Sequence, residues 1–162
     1  MDAIQSIIQN LNLEAHPEGG YFAEHYRSNE SFLPVGFEDK RVYATSIYFL
    51  LKAGQFSALH KIKSDEIWHF YLGDPLQIIE IEPGGNLIKT VLGRDIANGE
   101  MLSYVVKAGN WFGSRLMERS VYALAGCTVS PGFDFKDFEM PPKTYFLDLF
   151  PLHKSLIDEM TK

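Results

Sequence analysis

His60 and Glu66 are the pair of residues whose types and spacing suggest chemistry. Both lie in the segment between Gly54 and Gly73, where two glycines bracket two apolar, aromatic-rich runs. Side chains two residues apart on a strand share a face, so His60 and Ile62 point the same way. We predict that this segment folds as a hairpin of two neighbouring strands and brings the imidazole and the carboxyl group to one face.

Two kinds of acid–base chemistry are open to such a pair. A neutral imidazole oriented by a carboxylate can remove a proton next to a carbonyl, while a phenol returns one. A desolvated Glu66 would have a raised pKa and act as the base itself. The simpler alternative is that His60 and Glu66 only hydrogen-bond each other. Five tyrosines that the sequence cannot rank are candidate acids: Tyr21, Tyr26, Tyr43, Tyr48 and Tyr71.

Short, evenly spaced strands separated by turn signals make up most of the chain. The clearest hairpin joins residues 76–81 to residues 87–92 through the turn Glu82-Pro83-Gly84-Gly85-Asn86. We count about eight to ten strands, a number typical of a β-sandwich or a jelly-roll barrel. The pattern therefore predicts an all-β fold.

Short helices are predicted at both ends of this single domain of 162 residues. Residues 2–11 repeat apolar side chains at helical spacing, with Asp2 as a candidate cap. The final helix is expected to begin near Pro151. Residues 133–138, which are rich in phenylalanine, are expected to lie over an edge of the barrel.

Composition excludes several classes of partner. The formal charge is −6, the pI is near 5.3 and there is no basic run, which argues against nucleic-acid binding. No apolar run approaches the ~20 residues that span a bilayer, and no signal peptide is apparent, so we expect a cytoplasmic protein without membrane contact. The lone Cys127 forms no internal disulfide and is expected to be buried as a small apolar residue.

The spacing of Gly54, His60, Glu66 and Gly73 resembles the first motif of the cupin superfamily. That resemblance implies a double-stranded β-helix, or jelly-roll barrel, with the pair inside the barrel. Cupin metal sites need three or four ligands, but the second histidine position of the first motif is Ile62, and the histidine position of the second motif is Phe112. We therefore expect no tightly bound metal and no other cofactor.

The chain further resembles one family of short, single-domain cupins. The motifs that carry this resemblance are His16-Pro17-Glu18-Gly19-Gly20-Tyr21-Phe22, Ser64-Asp65-Glu66-Ile67-Trp68-His69-Phe70, Gly109-Asn110-Trp111-Phe112 and the run from Ser130 to Phe138. The resemblance implies a homodimer and a likeness to dTDP-sugar epimerases, and it brings no settled activity. Carried over by position, it implies that the following residues lie near the pocket: His60, Glu66, Trp68, His69, Trp111, Glu18 and Asp134.

Binding without chemistry is the remaining alternative. Flat aromatic surfaces and a few polar groups are typical of ligand sites in barrel mouths. The aromatic candidates are Trp68, Trp111, Phe112 and Phe56, and the polar candidates are Ser57, Asn110, His60 and Glu66. We predict a cupin barrel that binds a small polar metabolite, sugar-like or a carboxylate, with a metal-free epimerase or isomerase using His60 as base as the alternative.

Overall fold

Two antiparallel sheets form the body of the protein. A computed structural model describes residues 3–162. The six-stranded sheet contains, in spatial order, β1 (Glu14–Ala15), β2 (Tyr21–Arg27), β5 (Thr45–Lys52), β12 (Tyr122–Ser130), β7 (Asp65–Gly73) and β10 (Ser103–Val106). The four-stranded sheet contains β6 (Phe56–His60), β11 (Trp111–Leu116), β8 (Leu76–Ile81) and β9 (Leu87–Leu92). The two-stranded sheet pairs β3 (Ser31–Phe32) with β4 (Arg41–Val42).

Short helices flank the sheets at both ends of the chain, as the sequence predicts. They are α1 (Ala3–Asn10), α2 (Lys143–Leu149) and α3 (Lys154–Met160), and the 3-10 turns are Ile96–Asn98, Phe135–Asp137 and Pro151–His153. The predicted cap Asp2 lies outside the described residues. The helix predicted near Pro151 begins as a 3-10 turn and becomes α3, while α2 was not predicted. Within residues 3–162, no helix is long and apolar enough to cross a membrane.

The main core lies between the two sheets, which confirms the jelly-roll prediction. It contains side chains from both sheets, among them Phe49, Leu51, Trp68, Ile78 and Phe112. Close packing of two inward faces is the arrangement that buries most apolar surface in a β-sandwich.

A second core lies outside the four-stranded sheet. Ile79 and Ile81 of β8 pack there with Phe146 of α2 and Ile157 of α3. Successive strand residues point to opposite faces, so Ile78 of β8 points into the main core, whereas Ile79 and Ile81 point into the second core. Both faces of β8 are therefore covered, which explains why four of its six residues are apolar.

The predicted hairpin that joins His60 to Glu66 is wrong. β6 pairs with β11, whereas β7 pairs with β12 and β10, so the two strands belong to different sheets. Residues 61–64 turn the corner between the sheets, and Lys61 pairs there with Glu139 through two 2.9 Å backbone hydrogen bonds. His60 and Glu66 come together because the two sheets face each other. The β8–β9 hairpin is confirmed with the predicted limits.

Candidate functional site: an acidic cavity between the sheets

A cavity of about 310 Å³ lies between the sheets. Strands β2, β5, β6, β7 and β12 contribute to its walls, together with the turn before β2 and residues 133–138. Its lining combines ionisable and apolar side chains: His16, Glu18, Phe22, Glu24, Arg27, Thr45, Ile47, His60, Ile62, Glu66, Cys127, Val129, Phe133, Asp134, Phe135 and Phe138.

The turn that precedes β2 carries Glu18 to His60. Gly19 has a φ of +116°, and a Cβ there would lie 2.1 Å from the backbone oxygen of Phe56 in β6. Only a glycine lets the turn approach β6 this closely. The backbone oxygen of Glu18 accepts a 2.8 Å hydrogen bond from the Ala58 amide, which fixes the turn on the strand. Glu18 thus reaches the cavity from a segment about 40 residues before His60.

Glu18 and His60 share a proton in the buried wall of the cavity. Glu18 Oε2 lies 3.0 Å from His60 Nε2, and Glu18 Oε1 accepts a 2.9 Å bond from the Ser57 hydroxyl. His60 Nδ1 lies 2.7 Å from the Ala58 carbonyl oxygen, an acceptor, so Nδ1 carries a hydrogen. One more proton must therefore lie between Nε2 and Oε2. Burial raises the pKa of Glu18 and lowers the pKa of His60, and both directions favour a neutral carboxyl that donates to a neutral ring.

His16 is a second buried imidazole beside this pair. Its Nδ1 accepts a 3.1 Å bond from the Glu18 backbone amide, so the neutral ring carries its hydrogen on Nε2. The ring meets Phe22 edge-on, with centroids 4.5 Å apart. Burial lowers the pKa of His16 despite the opposing effect of Glu18, so the ring is a neutral polar group of the cavity wall.

Glu66 enters the cavity from β7, in the opposite sheet. Burial raises its pKa to about 7, with His60 opposing the shift and Glu18 adding to it. Its hydrogen-bond partner is the thiol of Cys127 on the neighbouring strand β12, and burial also raises the pKa of that thiol. A carboxyl group that titrates near neutral pH is suited to proton exchange.

Charged groups and phenylalanines line the part of the cavity nearest solvent. Arg27 donates two hydrogen bonds to Glu24, at 2.7 and 2.8 Å, and one of 3.3 Å to the Phe133 backbone oxygen. Asp134 Oδ1 accepts a 2.9 Å bond from the Lys136 amide. Phe133, Phe135 and Phe138 meet edge-on, with centroids 4.9 to 6.3 Å apart.

A buried ion pair fixes this phenylalanine-rich segment to the body of the protein. Arg41 of β4 donates two 2.7 Å hydrogen bonds to the carboxylate of Asp137, and both side chains are about 95% buried. Bidentate arginine–carboxylate pairs are among the strongest polar contacts in proteins. The segment predicted to lie over a barrel edge is thereby held as one wall of the cavity.

Tyrosines aside, the cavity brings together four of the eleven candidate residues named from the sequence. His60, Glu66, Glu18 and Asp134 line it directly. Ser57 is buried behind the lining and holds Glu18.

The other six lie elsewhere, and Phe56 among them is partly buried against the second core. Trp68 and Phe112 are buried in the main core, and the Phe112 ring lies 4.1 Å from the His60 ring. Trp111 is buried in the second core against Phe146, because the wall it faces is formed by α2. Asn110 donates to the buried carboxylate of Glu80 at 2.9 Å.

His69 lies on the other face of β7, as strand alternation predicts. Its Nε2 is 3.2 Å from the hydroxyl of Thr128, which points away from the cavity because its neighbours Cys127 and Val129 line it. The position implied by family resemblance and the position implied by alternation differ for this residue, and the structure agrees with alternation.

No tyrosine belongs to the cavity lining formed by residues 3–162. The five candidate acids named from the sequence therefore have no hydroxyl at the cavity. Glu66 is the group there whose pKa suits an acid or a base near pH 7.

The donor set does not fit the metal that many cupins hold. Ile62 and Phe112 occupy two of the usual ligand positions, and residues 3–162 contain no group of three or more His, Cys, Asp or Glu side chains arranged to bind an ion. Two protein ligands leave most of a coordination sphere unfilled.

Several cavity residues escaped sequence reasoning. The sequence pattern places His16 in a turn and Cys127 in a buried strand, so it predicts neither residue at a cavity wall. Phe22 and Glu24 on β2 follow strand alternation into the cavity, whereas Arg27 lies beyond a bulge between Glu24 and Tyr26. The strict period of two along a strand fails at such a bulge, so the inward direction of Arg27 had no sequence signal.

Comparison with known proteins identifies the family. Residues 5–141 match the family model Cupin_5, described as "Cupin superfamily (DUF985)". The protein belongs to this cupin family. The resemblance inferred from the sequence motifs is thereby confirmed at the level of the family.

Relatives of this cupin cover most or all of its chain. A hypothetical protein from Leishmania major is 33% identical, with a TM-score of 0.93 over 99% of each chain. Protein SO0799 from Shewanella oneidensis is 38% identical, with a TM-score of 0.91 over 100% of this chain and 99% of that one. The uncharacterized Saccharomyces cerevisiae protein YML079W is 31% identical over 148 residues, which cover 83% of this chain and 73% of the yeast protein.

A more distant likeness supports the fold alone. Oxalate decarboxylase from Bacillus subtilis is 17% identical, with a TM-score of 0.58 over 94% of this chain and 38% of that chain. At this identity the comparison supports the double-stranded β-helix fold and says nothing about chemistry.

Proposed function

We propose that this cupin binds a small polar metabolite, sugar-like or a carboxylate, in the cavity between its sheets. The observation that carries the proposal is a cavity of about 310 Å³ lined by both buried polar groups and phenylalanines. Small-molecule sites are typically concave, mostly apolar and of roughly 300 to 1,000 Å³. The shared proton of Glu18 and His60 and the carboxyl of Glu66 supply the polar groups that orient a ligand.

A metabolite screen by thermal unfolding tests this proposal. A ligand at a hundred times its Kd adds about 2.7 kcal/mol. At roughly 2 to 4 °C per kcal/mol for a domain of this size, the melting temperature rises by about 5 to 11 °C. Ile47→Trp fills the cavity and should abolish the shift, whereas Ile67→Trp on the other face of the same sheet should preserve it. A ligand that stabilises both variants equally would place its site elsewhere.

Acid–base catalysis is the second candidate. It is favoured by the Glu18–His60 pair facing a carboxyl with a pKa of about 7, because isomerisation next to a carbonyl needs one group to take a proton and another to return it. We propose His60 as the base and Glu66 as the acid, in the form of the site in which Glu18 is ionised, because only then does His60 Nε2 carry a free lone pair for the substrate proton. Ligand-dependent exchange of substrate hydrogen with D₂O that persists in His60→Ala would refute this role.

We also propose a cytoplasmic homodimer that contacts neither membrane nor nucleic acid and holds no cofactor. The exposed side chains of Tyr71, Leu72 and Val105 on strands β7 and β10 support a protein interface, because large apolar side chains left exposed on a sheet lose contact with water on association. Equilibrium sedimentation tests the dimer, and a mass equal to one chain would refute it.

A further inference from the structure

Acidic groups outnumber permanent cations in the cavity. Four carboxyl groups line it, from Glu18, Glu24, Glu66 and Asp134, while Arg27 is the one lysine or arginine in the lining formed by the described residues. The guanidinium of Arg27 is already occupied by Glu24 through two hydrogen bonds. An anionic ligand would therefore find no lysine or arginine among these lining residues that is free of a carboxylate partner.

Glu66 has unused hydrogen-bonding capacity that points into the cavity. Glu66 is only 8% exposed, and its hydrogen-bond partner is the thiol of Cys127 on β12. A thiol is a weak donor, whereas a carboxylate offers about four acceptor sites. Buried carboxylates normally have stronger partners, so this group is short of a donor that a ligand can supply.

Aromatic rings complete the surroundings. Phe133, Phe135 and Phe138 line the same cavity, and Phe135 remains 55% exposed although its ring contacts both others. Faces of aromatic rings attract cations, and their apolar surface packs against the C–H groups of a polyol.

We propose that the ligand of this cavity carries a protonated primary amine that donates to the Glu66 carboxylate. This inference rests on the proposed function and narrows the ligand to an amine-bearing small polar molecule, such as an amino-polyol. The ammonium group supplies the strong donors that Glu66 lacks, and it meets the carboxyl excess of the cavity. The hydroxyls of the ligand face the Glu18–His60 pair and Arg27.

A triplet of six-carbon probes that differ in charge tests the inference. Glucamine carries an amine, sorbitol a hydroxyl and gluconate a carboxylate at the same end of an otherwise matched chain. Isothermal titration at pH 8 should give glucamine an affinity about tenfold or more above both others, the size of one charge-assisted hydrogen bond. Glu66→Gln should remove this preference, while the exposed control Glu159→Gln should keep it.

The pH dependence of glucamine binding to the wild-type protein is a second test of the inference and needs no variant. Glu66 faces His60 and Glu18 across the cavity and Cys127 on β12. Glucamine stays protonated from pH 6 to pH 8, so its preference over sorbitol should grow as Glu66 ionises through about pH 7. Binding at pH 7 should also release protons, which titration in two buffers of different ionisation enthalpy detects.

Each outcome decides the matter. Equal or tighter binding of sorbitol or gluconate overturns the amine inference and leaves the cavity as a ligand site. Binding of none of the three probes also overturns the inference, and the metabolite screen with Ile47→Trp then judges the proposed function separately. A glucamine preference that survives Glu66→Gln refutes the role of that carboxylate.

Discussion

Replacing Glu18 with alanine should destabilise the fold, because it leaves two buried polar groups without partners. The Ser57 hydroxyl loses its 2.9 Å acceptor, and His60 Nε2 loses its 3.0 Å partner. Each buried group left unpaired costs about 1 to 3 kcal/mol. His60 lines the cavity, and removal of the Glu18 side chain opens space for water beside Ser57, so we take the lower end and expect a loss of about 2 to 3 kcal/mol, or roughly 4 to 12 °C in melting temperature.

Glu18→Gln is the matched variant that separates a neutral pair from an ion pair. The glutamine amide accepts from Ser57 and donates to a neutral His60 ring, so both bonds survive and the loss should stay within about 1 kcal/mol. Chemical denaturation of both variants at pH 7 measures the difference. Nitrogen NMR of the wild-type imidazole should show hydrogen on Nδ1 and a hydrogen-bonded Nε2 acceptor. Glu18→Gln as unstable as Glu18→Ala, together with an imidazolium spectrum for His60, would refute the shared-proton assignment.

Four other positions give further tests. Burial raises the pKa of Glu66 from 4.5 to about 7, so its contribution to stability is full below pH 4.5 and is lost as pH rises through 7. The Glu66→Gln variant should therefore be more stable than wild type by up to about 3 kcal/mol at pH 8, and by little at pH 4.5. Chemical denaturation of both proteins at each pH measures this difference. The neighbouring Asp65 has a pKa lowered by the Ala108 amide, so Asp65→Asn should show the opposite trend, with its deficit greatest above pH 4. Gly19→Ala should cost more than Gly36→Ala in thermal unfolding, since both have positive φ but only the first Cβ would collide with a backbone oxygen, and equal losses would contradict the close approach. Cys127, with its raised pKa and 2% exposure, should resist iodoacetamide in the native protein at pH 8 and react after unfolding, as mass spectrometry would show.

Local patterns in the sequence were sufficient for much of the fold. The limits of β8 and β9 follow from two apolar runs around a glycine-rich turn, and the terminal helices follow from their apolar spacing. The hairpin between His60 and Glu66 failed for a physical reason: four residues between two strands are compatible both with a hairpin and with a corner from one sheet to the other. Pairing partners distant in the chain decide between them, since β6 takes β11 and β7 takes β12.

The candidate site was predictable where strand alternation applies and unpredictable where tertiary contacts decide. Alternation correctly sent His60 and Ile62 inward together. No periodicity could assign Trp111 to the second core, because its partner Phe146 lies on a helix the sequence pattern did not reveal. The sequence also did not predict Glu18 as the partner of His60. Gly19 and Gly20 indicate that the turn packs closely against another segment, but they do not indicate which strand that segment is.

The Glu18–His60 contact gives a physical reason why this site does not suit a metal ion. A metal-ligating histidine usually donates one ring N–H to a carbonyl and coordinates through its other nitrogen. His60 has the first feature, because Nδ1 faces the Ala58 oxygen at 2.7 Å. The second nitrogen, Nε2, is instead occupied by the shared proton of Glu18 at 3.0 Å. An ion would have to displace that proton and would then find Ile62 and Phe112 where further donors belong. The same geometry that disfavours a metal leaves a proton-sharing pair facing Glu66, which suits recognition of a polar ligand rather than Lewis-acid chemistry.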